Sequence, residues 1–256
     1  RIHGLVVEST YNWYWLVDGL MDAGYAVHLA NTAAIHQYEG LKHTNDHSDA
    51  RWLAQLLRLG ILPTGYIYPK EDRAIRDLLR KHSQLVRQKT SHLLSIHNLV
   101  TRNTGTSLTG NRIKTLTAEA MRDVLPTPDL ALAGTSTLAV MRCVAEQIAA
   151  IEHTIKARVS LRPTLALTIM LEAGDMHRFS TVGQWASYCR CVNSTKLSNG
   201  TRKAQGNTKN GNKYLAWAFI EAANFAVRYY PDIQRFYQRK KAKTQGVVAI
   251  KAVAHT

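Results

Sequence analysis

Leu5-Val6-Val7-Glu8 and Tyr25-Ala26-Val27-His28-Leu29-Ala30 bracket a helical stretch at 13–23, and the reading of these three segments decides the fold. The first run is apolar and ends in an acid, as a buried strand does at its carboxyl end. Between the two runs, Leu16, Val17, Leu20 and Met21 recur at helical spacing, and Gly24 follows as a C-terminal stop. Strand, helix and strand within about 30 residues form a βαβ unit, which implies parallel strands.

The next stretch, His43-Thr44-Asn45-Asp46-His47-Ser48-Asp49-Ala50-Arg51-Trp52-Leu53, sets two carboxylates three residues apart at the head of a second helix. Asn45, Asp46 and Ser48 are each suited to an N-cap. Trp52, Leu53, Leu56 and Leu57 then supply the apolar stripe until Gly60. Residues i and i+3 share a helix face, so Asp46 and Asp49 converge. They read either as cap and dipole partner or as oxygen ligands for a hard divalent cation. Glu8, at the end of its strand, is the natural third member, because ligands in open α/β sheets lie beyond the strands' carboxyl ends.

From 71 to 103 the pattern changes. Ile75, Leu78, Leu79, Leu85, Val86, Leu93, Ile96 and Val100 keep a 3–4 spacing with no internal cap signal, which predicts one long coiled-coil-like arm. Arg73, Arg76, Arg80, Lys81, Arg87 and Lys89 decorate the remainder, as a solvated face or a nucleic-acid contact. A return helix is expected at 113–125, and a third helix at about 129–159 after Pro126 and Pro128.

Residues 163 onward read as a second globular unit, with short apolar helices at 165–173 and 182–192. Residues 193–213 are polar, Gly-rich and cationic, with no acid, and lead into Tyr214, Trp217 and Phe219. Such a segment is a flexible linker or a loop that wraps a phosphate backbone through Lys, Arg and main-chain N–H groups. Ser198, followed by Asn199-Gly200, reads as a turn former or as a hydroxyl nucleophile among cations. A further basic cluster runs from 235 to 243.

Composition agrees with a polyanionic partner. There are 33 Lys+Arg against 18 Asp+Glu, a net charge of +15, and a pI near 9.9. No run of 18 apolar residues is present, so no membrane span is expected, and the start lacks a signal-peptide pattern. The three cysteines, Cys143, Cys189 and Cys191, are odd in number and badly spaced for a metal knuckle, which fits reduced thiols in a cytoplasmic protein.

Three stretches taken together resemble the DEDD-type insertion-sequence transposases, related to the Piv and MooV DNA invertases. They are Val6-Val7-Glu8-Ser9-Thr10, Thr44-Asn45-Asp46-His47-Ser48-Asp49-Ala50, and Leu197-Ser198-Asn199-Gly200 with Gly206-Asn207-Thr208-Lys209-Asn210-Gly211-Asn212-Lys213-Tyr214-Leu215. The resemblance implies an α/β RNase H-like domain, partial at its start (1–70). A long coiled-coil insertion (71–160) follows, then a mainly α-helical transposase domain (161–256) with a basic loop and a catalytic serine.

It also implies a bridge-RNA-guided serine recombinase, which cuts and rejoins donor and target DNA through a covalent phosphoserine link. Glu8, Asp46 and Asp49 match the last three acids of a Mg²⁺-binding tetrad. Ser198 matches the serine, with Ser194 as its rival. Lys196, Asn199, Gly200, Arg202, Lys203, Lys209 and Lys213, with Arg80 and Arg87 on the arm, are the expected nucleic-acid contacts. Expected partners are DNA, a structured noncoding guide RNA and further copies of the chain, as a dimer or tetramer, at the nucleoid of a bacterial or archaeal cell.

The sequence also departs from the family pattern. The first tetrad Asp is expected on a strand before Arg1, which would leave the acidic site incomplete in this chain. Arg162-Pro163-Thr164 stands where a Pro-Gly-Ile-Gly-like hairpin is usual, and the last helix is expected to continue past Thr256. Two other readings compete: a metal-dependent, structure-selective nuclease of the Holliday-junction type, with water as nucleophile, and a non-catalytic nucleic-acid-binding scaffold.

Overall fold

A computed structural model describes residues 3–35, 45–158, 164–192, 195–198, 201–205 and 211–256, with the backbone alone for the two segments between 195 and 205. The chain divides into two compact units, residues 1–73 with 174–256, and residues 74–173. Most of the described residues are helical.

In the first unit, β1 (Leu5–Glu8), α1 (Trp13–Asp22) and β2 (Val27–Ala30) form the expected βαβ unit. The strands are parallel, with Leu5 opposite Val27 and Glu8 opposite Ala30. Gly24, at φ +81°, stops α1: its N–H donates to Met21 O while the Tyr25 N–H reaches Leu20 O. That left-handed turn satisfies the last helical carbonyls at low cost only with glycine. Gly60, at φ +69°, ends α2 (Asp46–Arg58) in the same way. After α2, a single antiparallel bridge joins Thr64 to Ala30. Helix α2 buries Leu53 and Leu56 and packs against β1.

The second unit is built on α3 (Lys70–Thr104) and α6 (Pro128–Arg158), which run antiparallel. Ile96 and Val100 share a core with Leu138 and Met141, Leu79 packs with Ile155, and His82 Nε2 lies 3.0 Å from Glu152 Oε1. The expected return helix is two short ones, α4 (Gly110–Thr115) and α5 (Ala118–Val124). The helix breaks because Leu116 is extended, and the Thr117 hydroxyl starts a new helix by accepting from Ala120 N–H. Helix α7 (Thr164–Ala173) closes the unit, with Leu167 and Leu171 against Leu79 and Ile155.

The arginines at the start of α3 do not decorate a solvated face. Arg73 and Arg76 are buried. Arg73 donates to Asp18 at 2.8 Å and to Tyr68 O, and stands 5.1 and 4.8 Å above the rings of Trp13 and Tyr14. Arg76 and Arg80 converge on Glu172, which is 1% exposed, at 3.1 and 2.5 Å. A carboxylate so buried is tolerable only with charged donors around it. Arg80, expected as a nucleic-acid contact, is therefore engaged by Glu172, whereas Arg87 remains exposed.

The remaining elements of the first unit are α8 (Val182–Tyr188), β3 (Thr195–Ser198), β4 (Thr201–Gln205), α9 (Lys213–Tyr229), α10 (Pro231–Lys241) and α11 (Gly246–His255). Helices α9, α10 and α11 pack on one another around Leu215, Ala218, Ala223, Ala249 and Val253. The helix expected at 182–192 stops at Tyr188, and the expected loop contains an antiparallel hairpin, β3–β4. Among the described residues no helix is long and apolar enough to cross a membrane.

Glu172 gives the first test. Replacing it with Leu leaves two guanidinium groups facing an apolar neighbour, and the expected loss is about 3–5 kcal/mol in chemical denaturation. Arg80→Ala, on the more exposed side of the pair, is expected to cost less than Arg76→Ala in the same assay.

Candidate active site

The head of α2 separates capping from the carboxylates. Asn45 is the cap: its side-chain oxygen accepts from Ser48 N–H at 2.9 Å, and Ser48 Oγ accepts from Asn45 N–H at 3.0 Å. This reciprocal capping box leaves Asp46 and Asp49 in the first turn with no capping duty. Glu8 closes β1 with its side chain exposed. Among the described residues, Glu8, Asp46 and Asp49 make no ion pair, in a chain carrying 33 basic side chains.

These are open oxygen donors of the kind that suits a hard cation. No group of three His, Cys, Asp or Glu among the described residues is gathered closely enough to hold a metal. The acids thus fit Mg²⁺ in chemistry and share the packed β1–α2 pair, but they supply only part of a coordination shell. A cleft of about 840 Å³ is lined by residues such as His3 and Gly4 before β1, His28, Arg58 at the end of α2, and Thr64, and it does not include the acids.

Ser198 is the last residue of β3 and is paired with Thr201, the first of β4. Asn199-Gly200 therefore joins two paired strands, and that dipeptide is the strongest short-range hairpin signal in the segment. A register shift between Lys196 and Leu197 leaves Lys203 as the extra residue of a bulge on β4. Lys196, Arg202 and Lys203 all lie on the hairpin, and Lys213 begins α9, exposed. Ser194, Asn199, Gly200 and Lys209 fall outside the described residues.

Both roots of this hairpin are held. At the end of α8, Arg190 adopts φ +56°, its N–H donates to Ser187 O, and the Cys191 N–H reaches Ala186 O. This is a left-handed helix stop made without glycine, a conformation that costs about 1 kcal/mol or more. Asn212 N–H donates to Tyr188 O at 2.6 Å, and the Asn212 side chain caps α9 by accepting from Tyr214 and Leu215 N–H. Gly211 has φ +84°, and a Cβ there would lie 2.6 Å from Tyr188 O. Only glycine fits. The Asn212 N–H to Tyr188 O contact thus ties the end of α8 to the start of α9.

Beside this clasp, Tyr188 and Tyr68 hydroxyls stand 3.1 Å apart. The Arg178 guanidinium lies 4.6, 4.4 and 4.5 Å from the rings of Tyr66, Phe179 and Tyr188. Burial pushes the Tyr188 phenol up, but hydrogen bonds with Tyr68, Arg178 and Asn212, with the charge of Arg178, outweigh it and bring the pKa below the ordinary tyrosine value. Cys189 and Cys191 are free and buried, and burial pushes the Cys189 thiol up to about 12, which rules it out as a nucleophile near neutral pH. Arg178 and Tyr188 have no role in the sequence reading, and Gly211 and Asn212 enter it only as part of a quoted motif, with no structural duty assigned. The signal that could have found Asn212 is its place as the Asn directly before an apolar-aromatic helix.

Two outcomes test the clasp. Gly211→Ala is expected to lose about 1–3 kcal/mol and to speed proteolysis within 193–210, while Asn212→Ala loses about 1 kcal/mol, most of it recovered in Asn212→Asp. In alkaline absorbance titration, Tyr188→Phe should remove a component that ionises below the ordinary tyrosine value. Arg178→Met should return it toward the ordinary range.

Residues 3–104 match the DEDD transposase domain of the IS110 group, described as "Transposase". Residues 159–238 match the domain described as "Transposase IS116/IS110/IS902 family". The chain is also similar to a Sinorhizobium fredii protein named "Putative transposase y4qE", at 25% identity over 228 residues, 87% of this chain and 57% of that protein. The chain thus spans little more than half the length of that relative. The DEDD domain implies an RNase H-like fold, of which β1, α1, β2 and α2 form a part. With two matches in family order over most of its length, the chain belongs to the IS116/IS110/IS902 family of transposases.

Proposed function

We propose that the protein cuts and rejoins DNA as a transposase, with Ser198 as nucleophile and a structured guide RNA selecting the donor and target strands. The observation that carries this reading is the placement of Ser198. It ends β3 where that strand pairs with β4, on a hairpin that carries Lys196, Arg202 and Lys203. A nucleophile gains most from being held in one geometry, because the ordering entropy is then lost before the reaction begins.

In the proposed step, Ser198 Oγ loses its proton to solvent and bonds to the scissile phosphorus. The P–O bond to the deoxyribose breaks, and the leaving oxygen takes up a proton. The phosphoserine link conserves the phosphodiester for rejoining when a strand hydroxyl attacks it and Ser198 leaves. Lys196, Arg202, Lys203 and Lys209 offset phosphate charge around the hairpin, with Asn199 and Gly200 at its turn. Glu8, Asp46 and Asp49 would hold Mg²⁺, which supplies neutralisation of the phosphate's negative charge when bound. The α3–α6 pair corresponds to the family's coiled-coil insertion and carries Arg87 toward nucleic acid. The RNA guide, and assembly as a dimer or tetramer, rest on the family resemblance.

One observation favours a second reading. The DEDD match covers the acids, and an acidic site alone suffices for a metal-dependent nuclease with water as nucleophile.

A denaturing gel of full-length protein with donor and target DNA separates the two. Ser198→Ala is expected to abolish the covalent protein–DNA band and strand exchange while binding persists. Strand exchange retained in Ser198→Ala and lost in Ser194→Ala would move the nucleophile to Ser194. Cut strands with no adduct in the wild type would establish hydrolysis. RNA sequencing of the purified protein should return one discrete noncoding species, and its absence removes the guide from the reading.

A further inference from the structure

The basic cluster at 235–243 lies outside both the hairpin and the acids, and the proposed chemistry does not use it. In the structure it forms the solvent side of α10. Ile233, Phe236 and Tyr237 are partly buried on the inner side, where α10 packs on α9 and α11. Gln234, Arg235, Gln238 and Arg239 are exposed, and by the 3.6-residue period they lie together on the opposite side. Lys240 and Lys241 fold back over Phe236 and Tyr237, at 5.6 and 5.9 Å from their ring centres, and Lys243 follows the helix end. Asp232 is the one acid of α10, and it is paired with Arg235 on the surface. A fully exposed pair of this kind is weak and exchanges readily for another anion.

We infer that the outer face of α10 is a DNA-binding surface that lies in the major groove of a B-form duplex. Charge complementarity selects the partner: five cations against one acid on a helix and its end call for a polyanion. The paired Gln and Arg side chains select the groove. Gln and Arg are the amide and guanidinium groups that form two-point hydrogen bonds with adenine and guanine edges. An α-helix enters the B-form major groove but not the deep, narrow major groove of A-form RNA. The helix is supported from behind by α9 and α11, so its outer side chains are presented on a rigid element. The inference rests on the protein acting on DNA and is independent of which residue attacks phosphorus.

The test is a titration of full-length protein with a DNA duplex of about two helical turns and with an RNA duplex of the same sequence, over a series of salt concentrations. Arg235→Ala/Arg239→Ala is expected to weaken DNA binding roughly ten-fold or more and to lower the salt slope by about two. The RNA duplex should lose much less. Lys114→Ala/Lys156→Ala, which removes the same charge from exposed positions in the other unit, should leave both duplexes nearly unchanged. An unchanged DNA slope in the α10 variant overturns the inference, as does an equal loss on RNA or an equal loss in the charge-matched control. Ser198→Ala should keep the wild-type slope, so failure of the serine as nucleophile and failure of this surface give different results.

Discussion

Glu172 is the constraint on which the helical unit depends. It is 1% exposed, near the end of α7, and its two oxygens receive Arg76 and Arg80 from successive turns of α3. Apolar packing of Leu79, Ile155, Leu167 and Leu171 favours burial of these faces but discriminates weakly between neighbouring registers. A one-turn slip of α7 along α3 would keep leucines in contact with leucines. It would also leave a buried carboxylate without donors, which costs several kcal/mol. The ionic contact therefore sets the register, and the apolar contacts supply most of the favourable free energy.

The same interaction explains what could be read from the sequence. The βαβ unit, the stops at Gly24 and Gly60, and the single long helix through Ile75 to Val100 depend on residues within a few turns of one another, and each is legible. Arg73, Arg76 and Arg80 look like surface cations because their partners, Asp18 and Glu172, are 55 to 96 residues away. Sequence spacing carries no sign of such a pairing. A buried arginine on an amphipathic helix becomes visible only when the acid facing it is known.

The candidate site divides along similar lines. Asp46 and Asp49 are legible as a pair because i and i+3 on a helix head is a local relation, and Asn45 and Ser48 show why the acids are left open. The cationic segment reads as a linker or a phosphate-binding loop, and its hairpin is hidden by composition: polar, Gly-rich sequence reads as loop unless Asn199-Gly200 is weighted as a turn between strands. The clasp is harder still, because the Asn212 and Tyr188 contact joins two helix ends across 24 residues. It exists only once α8 and α9 are both in place.

The way the chain uses its charge links these features. Cations with intramolecular acids are concentrated at the start of α3, where Arg73, Arg76 and Arg80 are locked within the fold. The hairpin segments and the outer face of α10 are rich in cations, and at +15 the excess charge of the chain repels itself. Binding a polyanion at these surfaces lowers that repulsion, so the bound form is more stable than the free form by linkage. The open carboxylates carry the opposite sign, and a phosphate backbone close to them adds to repulsion unless a cation stands between. Among the described residues Glu8, Asp46 and Asp49 form no ion pair, so their oxygens stay open, and a divalent cation placed between them and a phosphate would lower the repulsion.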